Sequence, residues 1–202
     1  MNILEVAEIV GIVSFALSGF FIATCNKLDI LGIALAAFLT ALGGGVVRDI
    51  LSNRELFAFH NNLASILVIV VVFFAILLKL HRFEKIEKSP FFIISDTLGL
   101  VSFAISGAVV AVEVDFNFFG VVLLAFITAV GGGVMRDMLI NKIPFVLVSE
   151  FYGSVAILVG VLIYLLNQID LLNFITILMV FGFGMILRLV AYYKNWHLPK
   201  IV

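Results

Sequence analysis

One unusual stretch occurs twice in this sequence, and both copies place glycine and charge inside an apolar run. The first copy is FLTALGGGVVRDIL at 38–51, and the second is FITAVGGGVMRDML at 126–139. Each glycine in a helix costs about 1 kcal/mol relative to alanine. A charged side chain at membrane depth costs about 2.5–3.5 kcal/mol on insertion scales. Because the chain carries both costs twice, we expect these residues to have a function.

The composition places the chain in a membrane. Of the 202 residues, 64% are hydrophobic and only 12% are charged, whereas soluble domains carry about 25% charged residues. The net charge of −1 argues against nucleic-acid binding. The N-terminal segment MNILEVAEIV has no basic region before its apolar run. It is therefore predicted to be a membrane span and not a cleaved signal peptide.

Seven apolar runs are each long enough to cross a bilayer, which needs about 20 helical residues. The runs do not alternate polar and apolar residues, as barrel strands do. The sequence therefore predicts an all-α integral membrane protein with one membrane domain, 1–202, and seven transmembrane helices. The predicted spans are 3–24, 28–51, 61–80, 91–112, 116–140, 149–167 and 171–193.

The two halves of the sequence match when one is shifted by 88 residues. From Gly11 to Asn53, 22 of 43 positions are identical to the residue 88 positions later. This match predicts two three-helix repeats, 3–80 and 91–167, and a seventh helix, 171–193, outside them. A unit of three spans crosses the membrane an odd number of times. The second repeat is therefore expected to be inverted, with a pseudo-two-fold axis in the membrane plane.

Basic residues predict the orientation in the membrane. With the N-terminus outside, only Arg48 and Arg54 lie on the outer side. The inner side then holds Lys27, Lys79, Arg82, Lys85, Lys88, Arg136, Lys142, Arg188, Lys194 and Lys200. Positive charge is enriched on the cytoplasmic side of membrane proteins. We therefore predict a multi-pass protein with its N-terminus outside and its C-terminus in the cytoplasm.

The glycine triplets are expected to break and kink helices two and five. A break frees backbone carbonyls and N–H groups, which carry partial charges. Such backbone is tolerated at membrane depth only where it is buried in protein or lines a wet cavity. Close helix packing is the alternative role for these glycines. The kink candidates are Gly43, Gly44, Gly45, Gly131, Gly132 and Gly133.

Each triplet is followed by a charged pair, Arg48-Asp49 in the first copy and Arg136-Asp137 in the second. Adjacent residues do not face each other on a helix, so the partners are expected on other elements. Candidate partners for Arg48 are the acid of the other repeat, Glu8 or Asp96. The charged pairs either lock helices together as ion pairs or line a pore.

Small polar residues complete the candidate set. The serines are spaced four apart and lie on one helix face, where they either pack helices or form a polar pathway wall. The threonines precede the glycines, and their hydroxyl groups either bond to their own helix or face the path. These candidates are Ser14, Ser18, Thr40, Ser102, Ser106 and Thr128.

The sequence predicts no enzyme, metal site or cofactor. No Ser/His/Asp or Cys/His set shares a common membrane depth, and the three histidines, His60, His81 and His197, lack the spacing of metal ligands. The GGGVVRD stretch has neither the preceding strand nor the lysine of a phosphate-binding loop.

The doubled GGGV-x-RD motif, within three plus three inverted plus one spans, resembles the prokaryotic branch of the trimeric intracellular cation (TRIC) channel family. The resemblance covers roughly 3–193 and implies a location in the cell (inner) membrane. It implies a homotrimer in membrane lipid, with one pore per subunit lined by helices two and five, which are kinked at their glycines. It also implies passive permeation by monovalent cations, K⁺ more than Na⁺. Some bacterial relatives are regarded as glycine uptake proteins, so a secondary transporter of a small zwitterion such as glycine is the alternative.

Overall fold

The computed structural model describes residues 3–80, 89–148 and 151–196, and this part of the chain is helical apart from short connections. The basic loop predicted at 79–88 lies mostly outside the described residues, as do Lys200, His81 and His197. The helices are α1 (Ile3–Cys25), α2 (Ile30–Leu51), α3 (Phe57–His60), α4 (Asn62–Leu77), α5 (Pro90–Glu113), α6 (Phe118–Leu139), α7 (Phe145–Val148), α8 (Tyr152–Gln168) and α9 (Phe174–Tyr193).

Helices α2 and α6 begin and end in the same way. The side chain of Asp29 accepts a hydrogen bond from Gly32 N, and the side chain of Asn117 accepts one from Gly120 N. Such caps satisfy backbone donors that have no partner within the helix. After each helix, an asparagine, Asn53 or Asn141, adopts positive φ, which asparagine tolerates better than most residues. The chain therefore turns back sharply at the end of both helices.

Helix lengths differ from the sequence prediction of seven similar spans. Five described helices, α1, α2, α5, α6 and α9, are long and apolar enough to cross a membrane. Helices α4 and α8 have only 16 and 17 residues, fewer than the roughly 20 that a bilayer requires. Each follows a four-residue helix, α3 or α7, which hydropathy did not predict. The Asn61 side chain accepts a hydrogen bond from Leu63 N and so caps the N-terminus of α4.

The four helices α1, α2, α5 and α6 form a ring in which each contacts its two neighbours. Helix α4 packs outside α1 and α2, α8 packs outside α5 and α6, and α9 packs against α5 and α8. The outer helices expose large apolar side chains, among them Phe73 on α4 and Met179 on α9. An apolar surface of this kind suits a lipid environment. Within the ring, α1 and α5 are largely buried, whereas α2 and α6 also expose apolar side chains, among them Leu35 and Leu123.

Helices α1 and α5 cross through two phenylalanines and two glycines. The Phe15 and Phe103 rings lie 5.3 Å apart between their centroids. Phe15 packs on Gly99, where an added Cβ would lie 2.1 Å from the ring, and Phe103 packs on Gly11 at 3.0 Å. Gly11 precedes Phe15 in α1, and Gly99 precedes Phe103 in α5. Because Gly11 contacts Phe103 and Phe15 contacts Gly99, the two helices run antiparallel.

Candidate functional site

The glycine triplets do not interrupt their helices. Helix α2 continues from Ile30 to Leu51, and α6 continues from Phe118 to Leu139. In the described part of the chain, no glycine has positive φ. The prediction of broken helices with freed carbonyls at Gly43–Gly45 and at 131–133 is therefore wrong. Glycine permits a left-handed conformation but does not enforce it, and here both backbones keep their helical hydrogen bonds.

The middle glycines instead allow α2 and α6 to approach each other closely. A Cβ added to Gly44 would lie 2.1 Å from the Thr128 carbonyl oxygen, and one added to Gly132 would lie 2.1 Å from the Thr40 carbonyl oxygen. The Thr40 hydroxyl donates to Ala36 O at 2.6 Å, which keeps that side chain on its own helix. Close packing, the alternative role for the glycines, is correct at this crossing.

The hydroxyl of Thr128 likewise donates to the carbonyl oxygen of Leu124, one turn earlier in α6, at 2.6 Å. Both threonines therefore bond to their own helix, as one of the two predicted alternatives has it.

The outer glycines of each triplet have different surroundings. Gly43 faces the Met135 sulfur, with 2.7 Å to an added Cβ, and Gly131 faces the Gly44 backbone at 3.4 Å. A Cβ on Gly45 would meet nothing within 4 Å, and one on Gly133 would meet only a guanidinium nitrogen at 3.8 Å. The third glycine of each triplet therefore borders open space.

A buried charge cluster surrounds Arg48, and we call it the first cluster. The Arg48 guanidinium contacts Glu8 at 2.6 Å and donates to Asp49 through Nε at 2.8 Å and through Nη2 at 2.6 Å. It also donates to the Ser106 hydroxyl. The second oxygen of Asp49 accepts the backbone N–H of Phe57 at 2.9 Å. The first cluster thus joins α1, α2 and α5 to the start of α3.

The second cluster surrounds Arg136. The Arg136 Nε donates to Asp137 at 2.8 Å, and Nη1 contacts the Ser18 hydroxyl at 3.3 Å. Ser18 donates to Asp96 at 2.9 Å, and Asp137 accepts the backbone N–H of Phe145 at 2.7 Å. Every member lies 88 positions from its equivalent in the first cluster.

The arginine partners correct one prediction and confirm another. Arg48 bonds to its own sequence neighbour, Asp49, so the expectation that adjacent residues would not pair is wrong. The arginine side chain is long enough to fold back over the helix surface and reach the next residue. Glu8, one of the three candidate partners of Arg48, does contact it, and this candidate is confirmed. Each arginine also reaches diagonally across the ring, from α2 to α5 or from α6 to α1.

Each cluster lines its own cavity. A cavity of about 390 Å³ contains Glu8, Arg48 and Asp49, and a smaller one beside it adds Gly45 and Phe103. At the other end of the ring, a cavity of about 200 Å³ is lined by residues that include Arg136 and Asp137. Between the cavities, the Phe15–Phe103 contact and the α2–α6 crossing close the ring.

Two predicted serines lie outside both clusters. Ser14 and Ser102 are buried, and neither takes part in the hydrogen bonds of the clusters described above. The Ser102 hydroxyl has no hydrogen-bond partner among the described residues. It lies in the floor of an apolar groove between α1, α5 and α9. The four candidate serines therefore fall into two groups. Ser18 and Ser106 belong to the clusters, whereas Ser14 and Ser102 do not.

Sequence reasoning missed Arg188 and Tyr152 as site residues. Arg188, on α9, is only 2% exposed, and its guanidinium lies over the Tyr152 ring at 5.1 Å and the Tyr192 ring at 5.8 Å. The signal was available, because Arg188 is the one charge inside the apolar run of α9. Among the described residues, no group of three His, Cys, Asp or Glu side chains is placed to hold a metal ion.

Comparison with known proteins gives consistent matches over almost the whole chain. The sequence profile of the glycine transporter family matches residues 5–79 and 93–168. The UPF0126 membrane protein YvgT of Bacillus subtilis is 33% identical over 97% of this chain and 95% of the relative. A crystal structure of a prokaryotic TRIC channel is 32% identical, with a TM-score of 0.87 over 97% of this chain and 98% of that one.

A second solved structure, from work on conductance through TRIC cation channels, is 30% identical to this chain. It has a TM-score of 0.87 over 98% of this chain and 97% of that one.

Proposed function

The chain belongs to the membrane-protein family that unites the glycine transporter profile, the UPF0126 proteins and the prokaryotic TRIC channels, and on this premise we propose that it is a passive channel for monovalent cations. The observation that carries the proposal is the pair of buried charge clusters, each lining a cavity at one end of the inner ring. Similarity to the solved cation channels over the full chain supports it.

The proposed pathway runs through the ring of each subunit, past Gly45 and Gly133. Both glycines border open space beside an arginine of a cluster. Further parts of the proposal are a homotrimer in membrane lipid, with one pore per subunit, and conduction of K⁺ in preference to Na⁺. We also propose seven crossings, with α4 and α8 as short spans, two inverted repeats, and an N-terminus outside the cell membrane.

The geometry fits a closed conformation. Phe15 and Phe103 fill the α1–α5 crossing, and Gly44 and Gly132 bring α2 and α6 into backbone contact. Conduction therefore requires one of the crossings to separate, and the side of the ring near Gly45 already has space.

A secondary transporter of a small zwitterion such as glycine is the second candidate. The family description favours it, as does the presence of two cavities separated by a closed centre, because carriers expose a site alternately to either side. The carboxylates in the first cavity are suited to bind the ammonium group of a zwitterion, and the guanidinium is suited to bind its carboxylate group.

Purified protein in a planar bilayer tests the proposal. We expect discrete current steps that are ohmic near zero voltage, with a reversal potential in a KCl gradient close to that of K⁺. The same preparation in liposomes is expected to show no saturable uptake of labelled glycine. Saturable glycine uptake without current steps would reject the channel and favour the carrier.

A further inference from the structure

The short helix α3 lies between a wide and a narrow part of the proposed pathway at the first end of the ring. Phe57, its first residue, borders both the cavity of about 390 Å³ and the smaller cavity beside Gly45. The smaller cavity has a volume of about 10 Å³, which is room for no more than about one water molecule. A K⁺ ion that keeps part of its hydration shell needs more space. The smaller cavity is therefore a constriction of the proposed pathway.

Among the walls of this constriction, α3 is the one that can move most easily. None of its four residues is buried, whereas buried side chains fill the contacts among α1, α2 and α5. Segments with few buried apolar contacts open at a low cost in free energy. An outward movement of α3 carries Phe57 and Ala58 away from Gly45 and so widens the constriction.

One carboxylate holds α3 against the ring. Asp49 Oδ1 accepts from Nε and Nη2 of Arg48, and Oδ2 accepts the backbone N–H of Phe57 at 2.9 Å. Leu56, which precedes α3, makes no capping hydrogen bond with its side chain. Asp49 therefore supplies an acceptor to the start of α3, where backbone N–H groups have no partner within the helix. A hydrogen bond to a charged acceptor is about twice as strong as one between neutral groups.

The equivalent helix at the other end of the ring, α7, is held by further contacts. The ring of Phe145, its first residue, lies 6.4 Å from the Phe92 ring and 5.4 Å from the Tyr152 ring, measured between centroids. The residues 88 positions before these two partners are not aromatic, namely Leu4 and Ala64. Phe57 therefore cannot make either ring contact, and α3 is the more easily displaced of the two short helices.

We propose that α3 is a gate at the first end of the channel, that the Phe57 ring obstructs the pathway, and that Asp49 is the latch that keeps the gate closed. The inference rests on the proposed channel function and assigns a role in it to a helix outside the predicted membrane spans. When the gate opens, the Phe57 N–H leaves Asp49, while Arg48 continues to hold the other carboxylate oxygen. Asp49 is thus a positioning residue, and α7 stays in place at the other end.

Unitary currents in symmetric KCl test the obstruction. We expect F57A to raise the unitary current by about twofold or more, because removing the ring leaves room for several water molecules where there is now room for about one. F59A is the matched control, since it makes the same change two residues later in α3. Phe59 is 75% exposed and lies outside the linings of both cavities, so F59A should leave the unitary current unchanged.

A proline at the same position tests the latch. F57P removes the ring as F57A does, and it also removes the N–H that Asp49 accepts. Proline suits the first position of a helix, and Leu56 already has the extended backbone that a following proline requires, at φ −66° and ψ 102°. We expect the ratio of open to closed time in F57P to exceed that in F57A by about tenfold or more, because a hydrogen bond to a charged group is lost.

The outcomes separate the gate, the latch and the channel function. A native unitary current in F57A would overturn the gate and leave the channel function standing, and equal ratios in F57P and F57A would overturn the latch. Absence of current from the folded native protein would overturn the inference together with the proposed function. If F57P does not fold, D49N decides, because a neutral acceptor holds the Phe57 N–H less strongly. Its open-to-closed ratio should exceed the native one, and an unchanged ratio contradicts the latch.

Discussion

Replacing Gly44 by alanine is expected to lower the free energy of unfolding by about 1–3 kcal/mol or more, the usual cost of overpacking. The added Cβ would lie 2.1 Å from the Thr128 carbonyl oxygen. That oxygen belongs to the backbone of α6 and cannot move aside as a flexible side chain can, so the two helices must separate. Gly132→Ala meets the same obstacle at the Thr40 carbonyl and should be destabilised similarly. Thermal unfolding in detergent measures both effects.

Gly45→Ala is the matched control for this prediction, because it makes the same change one residue later in the same helix. No atom lies within 4 Å of its added Cβ, and alanine is the better helix former by about 1 kcal/mol. We therefore expect Gly45→Ala to be as stable as the native protein or more so. Equal stability of the Gly44 and Gly45 variants would show that the glycines do not set the distance between α2 and α6.

Replacing Arg48 by methionine is expected to destabilise the protein by about 3–5 kcal/mol, the usual result when one partner of a buried ion pair is removed. The change leaves the carboxylates of Glu8 and Asp49 buried without their guanidinium. The side chains of Arg48 and Glu8 are only 3% and 6% exposed, so water cannot replace the lost contacts fully. Chemical denaturation of the detergent-solubilised protein measures the loss.

Two further variants separate this effect from a general loss of charge. Arg54→Gln removes the 2.7 Å contact with Glu113, where the side chains are 37% and 43% exposed, and exposed pairs contribute about 1 kcal/mol or less. Adding Glu8→Gln to Arg48→Met should restore part of the stability, because one buried charge is then removed. A loss for Arg48→Met no larger than that for Arg54→Gln would contradict the structural role of the first cluster.

The repeat allowed much of the site to be predicted from sequence. The offset of 88 residues pairs every member of the first cluster with a member of the second. The spacing of Ser18 and Ser106 placed them on helix faces with other small residues. The contact of Arg48 with Glu8 was also among the predicted partners, because both are charges in otherwise apolar spans.

Other features depend on distances between helices, which the order of residues in one helix does not determine. A glycine triplet is compatible with a break or with close packing, and only the position of the Thr128 carbonyl decides for packing at Gly44. Likewise, the sequence identifies Arg188 only as one of the basic residues on the inner side of the membrane. Its contact with the Tyr152 ring arises because α9 packs against α8.

Modification of a cysteine at position 45 tests the proposed pathway most directly. The variant Gly45→Cys, in a Cys25→Ser background, places a thiol in the open space beside Arg48. Gly182→Cys on α9 is the control, because its added side chain also meets nothing within 4 Å but lies outside the ring. A membrane-impermeant cationic thiol reagent is predicted to block most of the K⁺ current of the Gly45 variant and none of that of the Gly182 variant. Unchanged current in a Gly45→Cys protein that mass measurement shows to be modified would contradict a pathway through the ring.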